Sequence, residues 1–70
     1  MTFDPAAFAA RVKLARQCRK WSLDRLARET GLSKTYLWEI EKGGKNVSVE
    51  TLTAFCRVFE LRADYLLFGT

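Results

Sequence analysis

Seventy residues carrying twelve Lys and Arg, eight Asp and Glu, and a net charge of +4 make one small domain over residues 1–70, near the lower limit for an unstapled core. An apolar share of 49% with two Trp, two Tyr and five Phe excludes a disordered tail, and no apolar run is long enough to span a membrane. Two cysteines outside any CxxC spacing and no His at all exclude a zinc site and the usual catalytic constellations, so neither metal, cofactor nor enzyme is expected.

The N-terminus, MTFDPAAFAARVK, lacks the basic-then-apolar order of a signal peptide, and a cytoplasmic protein is expected. Asp4-Pro5 opens a first helix, Asp4 as N-cap and Pro5 where its missing N–H costs nothing. Phe8, Val12, Ala15 and the alkyl part of Arg19 form its buried stripe, Leu14 and Cys18 lie on a neighbouring face toward the last helix, and the helix runs to about Lys20. Both Cys18 and Cys56 are expected to fill small spaces in or near the core, a redox switch being the alternative. Between Arg11 and Lys20 fall five basic residues and no acid, while the other sixty positions balance at −1. Such a concentration suits a polyanion, or is a solvated helix face. Trp21 plugs the junction to the next helix or stacks on a base.

The stretch Leu23 to Gly43, LDRLARETGLSKTYLWEIEKG, reads as two short helices meeting at a corner. Ser22 caps the first, whose apolar face is Leu23, Leu26 and Ala27, with Asp24 favouring the helix dipole. Gly31 ends it because a left-handed backbone suits a residue without Cβ. Ser33 caps the second, which Leu37 and Ile40 turn inward and Gly43 stops. Ala27 is small because the second helix crosses above it. The three or four residues between the helices leave room only for a tight helix-turn-helix; with Ala27 and Gly31 in register it suits DNA binding, an ordinary pair of amphipathic core helices being the alternative.

The loop GGKNV, Gly43 to Val47, either brings backbone N–H groups to a phosphate or merely ends a helix. Ser48 caps a fourth helix with Val49, Leu52, Phe55, Cys56 and Phe59 as its buried face. Residues Arg62 to Phe68 form a short fifth helix or turn. Leu66 turns into the core, while Tyr65, Leu67 and Phe68 either form a dimer surface or seal the core's base.

From about Phe8 to Thr70 the chain resembles the phage-repressor and Cro-type helix-turn-helix family, also called the XRE family, and the ending ADYLLFGT is similar to the close of lambdoid repressor domains. The resemblance implies an all-α, lambda-repressor-like domain of five helices that binds a near-palindromic double-stranded DNA operator as a homodimer, helix 3 entering the major groove. Carried over by position, Ser33, Lys34 and Thr35 face base edges or nearby phosphates, and Glu39, one turn further, faces the groove too. Lys34 suits guanine O6 and N7, and Glu39 suits cytosine N4. Tyr36 joins them or serves the core, and Trp38 is open in the same way, between core and DNA.

Phosphate contacts are expected from Ser22 and the start of helix 2 at Leu23, from Arg16, and from Lys42, Lys45 and Asn46. An ion pair between Arg16 and Glu41 is implied as a brace. Three departures stand out from the family pattern. Leu23 replaces a Gln that touches the backbone, Val47 replaces a Pro, and Glu60 replaces a Gly that ends helix 4. Two functions compete: a transcriptional regulator, most simply a repressor of phage or mobile-element origin, a controller protein or an antitoxin; or a module binding a protein such as a toxin or RNA polymerase.

Overall fold

Side-chain oxygens mark where four of the helices begin. The computed structural model describes residues 2–43 and 45–70, and these form α1 (Pro5–Cys18), α2 (Leu23–Thr30), α3 (Lys34–Lys42), α4 (Val49–Phe59) and α5 (Ala63–Phe68), with no strand among the described residues. Asp4 accepts from the N–H groups of Ala6 and Ala7 at 3.0 and 3.3 Å, with Pro5 in the first turn. Ser22, Ser33 and Ser48 each accept, at 3.1 Å, from the N–H three residues on. Each bond satisfies a donor that the helix itself leaves orphaned. Helix α5 has no side-chain cap.

Helix α1 is the element the others share, packing against α3, α4 and α5, while α2 rests on α3 and α4. Phe8, Val12 and Ala15 of α1 meet Leu26, Leu37, Ile40, Phe55, Phe59 and Leu66 in one core cluster. Burying each large side chain contributes roughly 1.5–3 kcal/mol. An aromatic run crosses this core from Phe8 to Phe55 to Phe59 to Trp21, with centroid spacings of 6.0, 5.9 and 6.1 Å. Trp21 therefore plugs the α1–α2 junction, half-buried against Phe59.

Four expectations about placement are corrected. Helix α1 stops at Cys18, because Lys20 turns left-handed at φ 57° and redirects the chain. Leu14 is 53% exposed and Cys18 is exposed, so neither is buried in the core. On the same face Arg11 bonds the last helix, donating from Nη1 to the Leu66 carbonyl at 3.2 Å. Val49 is 79% exposed, since the first residue of α4 lies beyond the core's edge, and the buried position falls to Thr51. Thr51 tolerates burial because its hydroxyl bonds both Tyr36 Oη, at 3.0 Å, and Ser48 Oγ, at 3.1 Å.

Glu60 ends α4 in a left-handed conformation, φ 55° and ψ 42°, which a residue with a Cβ adopts at a cost of about 1 kcal/mol. Replacing it by glycine, Glu60→Gly, is expected to raise stability by about 1 kcal/mol, or about 4–8 °C in Tm, measured by thermal melting; an unchanged or lower Tm contradicts the strain. The thiols are separable as well. Burial pushes the Cys56 thiol above its ordinary range, leaving less thiolate at neutral pH, whereas Cys18 is exposed. Maleimide labelling of the native chain followed by peptide mapping is expected to modify Cys18 well before Cys56, and equal rates would refute this placement.

Candidate nucleic-acid interface

The corner between α2 and α3 is built by local bonds. Gly31 adopts φ 77° and donates its N–H to the Ala27 carbonyl at 2.9 Å. Thr30, buried at the end of α2, donates its hydroxyl to the Leu26 carbonyl at 2.7 Å and accepts the Leu32 N–H at 3.2 Å. Leu32 and Ala27 then pack against the core. The turn thus has little freedom, and α3 leaves it in a set direction.

A second constraint comes from α1. Arg16 Nε and Nη2 donate to the two oxygens of Glu41 at 2.8 and 2.9 Å, and Nη1 donates to the Trp21 carbonyl at 2.8 Å. One guanidinium so ties α1 to the end of α3 and to the turn before α2. The side chains are only 14% and 7% exposed, which makes this a bidentate, largely desolvated pair. The hydrogen bond to Glu41 raises the Arg16 pKa against the opposing effect of burial, and the guanidinium stays charged at every usable pH. The phosphate role expected of Arg16 is narrowed accordingly, since three of its five N–H groups already have acceptors within the chain.

The basic stretch from Arg11 to Lys20 is likewise mostly internal. Arg11 donates to the Leu66 carbonyl, and Arg19 donates to the carbonyls of Ala15 and Phe59 at 3.0 and 2.6 Å while lying over the Phe59 ring. Cations at these helix ends satisfy orphan carbonyls and favour the helix dipoles. Lys13 and Lys20 remain exposed.

With Leu37 and Ile40 buried and Tyr36 and Glu41 half-buried, the outward arc of α3 is Lys34, Thr35, Trp38, Glu39 and Lys42, preceded by exposed Ser33. Lys34 pairs with Asp24 and Lys45 with Glu39, both at 3.2 Å and both well exposed. The Lys42 ammonium lies 4.2 Å from the Trp38 ring centroid. At the start of α2, Ser22 is exposed and the N–H groups of Leu23 and Asp24 find no acceptor among the described residues. Asn46 and Lys45 are exposed beyond α3. Gly44, part of the expected phosphate-binding loop, lies outside the described residues.

Tyr36 departs from the arc. It packs against the core with its hydroxyl on Thr51 of α4, a placement that favours its core role. Two further residues line this face, Trp38, which the sequence left open between core and DNA, and Lys13, which it did not single out. Trp38 is 52% exposed, and Lys13 of α1 lines a shallow groove with Leu23, Trp38 and Lys42. The signal for Trp38 was available in its position four residues from both Lys34 and Lys42; that for Lys13 was not, because it depends on how α1 crosses α3.

Residues 7–66 match a family model described as a helix-turn-helix domain. The chain belongs to the helix-turn-helix family. A structure of SinR, the master regulator for biofilm formation in Bacillus subtilis, solved in complex with DNA, is 30% identical, with 84% of this chain and 95% of that one covered and a TM-score of 0.79. A structure of the SinR–SinI protein complex matches at 31% identity over 87% of this chain and 60% of that one, TM-score 0.80. The restriction–modification controller protein C.AhdI from Aeromonas hydrophila and the P22 c2 repressor in complex with a synthetic operator share the fold. Each is 24% identical over 90% of this chain and 96% of its own, with TM-scores of 0.82 and 0.83.

No curated protein sequence matches significantly. The all-helical architecture is that of lambda-repressor-like domains, and the relatives at 30% identity or more are regulators rather than enzymes. For this helix-turn-helix protein the Arg16–Glu41 brace sets the pose of α3. Arg16→Ala strands the Glu41 carboxylate, 7% exposed, and is expected to cost about 3 kcal/mol in a urea melt. Arg16→Lys keeps the charge without the fork and is expected to cost less. A loss under 1 kcal/mol in the alanine variant, roughly that of an exposed pair, would show that the brace is dispensable.

Proposed function

We propose that this chain is a sequence-specific, double-stranded-DNA-binding transcriptional regulator, a repressor, acting from the cytoplasm as a homodimer on a near-palindromic operator. The observation that carries the reading is the outward arc of α3, polar and exposed, held by the Arg16–Glu41 fork beside the unpaired N–H groups of α2. Ser33, Lys34, Thr35 and Glu39 read base edges, Lys34 at guanine O6 and N7 and Glu39 at cytosine N4. Ser22, the backbone N–H groups at Leu23 and Asp24, Lys42, Lys45 and Asn46 hold phosphates. Tyr36 positions α3 from beneath rather than reading a base.

Two of the reading side chains are engaged within the free chain, Lys34 with Asp24 and Glu39 with Lys45. Exposed pairs of this kind contribute about 0–1 kcal/mol, so duplex DNA displaces them at little cost. For the homodimer, Leu67 lines a shallow apolar depression with Phe3, Val47, Val49 and Leu52. Tyr65 and Phe68 are half-buried nearby on α5, and Tyr65 also packs against the core. Two recognition helices then lie about 34 Å apart, one turn of DNA. The same apolar face supports the second reading, docking of a protein partner such as a toxin or RNA polymerase.

Selection of bound sequences from a random duplex library, repeated with Lys34→Ala and Glu39→Ala, tests the first reading. A two-fold-symmetric motif is expected, each variant relaxing the preference at one defined position of the half-site by about 1–3 kcal/mol. Binding without an enriched motif, decaying steeply with salt, would leave only generic attraction and favour the protein partner.

A further inference from the structure

We propose that Trp38 is an additional specificity-determining residue, its indole taking the 5-methyl group of a thymine in the major groove; this deepens and rests on the duplex-DNA reading above. At about 100° per residue, Trp38 falls inside the outward arc of α3, between Lys34 on one side and Thr35 and Lys42 on the other. It is 52% exposed, and of the exposed large apolar side chains among the described residues, Leu14, Trp38 and Val49, it alone stands on that arc.

Its surroundings have two chemistries. Leu23, Thr35 and Trp38 line a shallow pocket together with Lys34, and the adjoining groove adds Lys13 and Lys42. An apolar floor therefore shares its lining with three lysines and with the Arg16–Glu41 pair. Lys34 reaches a base edge beside the floor and Lys13 and Lys42 suit phosphates, whereas the floor itself gains nothing from a polar base edge. Thymine's methyl is the apolar group that a base pair presents in the major groove. Lys42, with its ammonium 4.2 Å from the ring centroid, attracts the electron-rich face of the indole and holds the ring against α3. A ring so held offers a preformed surface rather than a flexible one.

The test compares the wild-type chain with Trp38→Ala in the same library selection, then replaces each preferred thymine of the wild-type motif by deoxyuridine in a binding titration. The expected result is a thymine preference in each half-site that Trp38→Ala abolishes while other positions keep theirs. Uracil at that position should weaken wild-type binding about fourfold, the effect of one buried methyl, and leave the variant unchanged. A motif identical in both proteins overturns the inference and leaves the DNA reading standing, and so does deoxyuridine that is neutral at every preferred thymine. No motif for the wild-type chain sinks both. Because Trp38 lies outside the core cluster, the variant should melt near wild type; if it does not fold, the deoxyuridine series on the wild-type chain still decides.

Discussion

The position of α3 depends on one guanidinium. Arg16 bonds Glu41 with two N–H groups and the Trp21 carbonyl with a third, joining α1, the turn before α2 and the end of α3. Apolar packing through Leu37 and Ile40 anchors α3 in the core but is non-directional. A planar fork does not slide: its two parallel bonds have one register. Burial makes the constraint expensive to break, because a lone carboxylate at Glu41's depth would stay without a counter-ion. The bonds at Thr30 and Gly31 set the angle at one end of α3, and the fork sets it at the other.

The cations of α1 and of the turn that follows it divide by type. Arg11, Arg16 and Arg19 turn inward and satisfy carbonyls or a carboxylate, whereas Lys13 and Lys20 stay in solvent. A delocalised guanidinium is weakly hydrated and carries several donors in a fixed plane, so it can be half-buried over Phe59 and still bond two carbonyls. An ammonium loses too much hydration for that. A run that looks like an electrostatic footprint is thus in large part internal scaffolding for a core near the size limit, while Lys13, Lys34, Lys42 and Lys45 are exposed on or beside α3.

Helix α3 has two opposed duties, and its faces separate them. Leu37 and Ile40 anchor it in the core, and Tyr36 extends the anchor to α4 through Thr51. The opposite arc carries only weak, solvent-exposed pairs, Lys34 with Asp24 and Glu39 with Lys45. Weak pairs keep lone charges from attracting every polyanion equally, yet they open without much cost. Trp38, apolar and exposed on that arc, breaks the binary pattern of a surface helix, and departures of this kind concentrate at binding surfaces.

Local chemistry made much of this protein legible in the sequence. The caps Asp4, Ser22, Ser33 and Ser48 and the left-handed Gly31 depend on a few neighbouring residues, so spacing alone determines them, whereas the left-handed Glu60 was legible only through the family resemblance. The core positions Phe8, Val12, Leu37, Ile40, Phe55 and Phe59 follow from periodicity for the same reason. Charge and edge positions do not. Whether Arg11 and Arg19 face solvent or a helix end, whether Val49 is covered, and whether Cys18 is buried all depend on where a distant helix lies. Long side chains at a domain's margin have several partners within reach, and only the tertiary structure decides among them, because the deciding carbonyl is forty or more residues away in the chain.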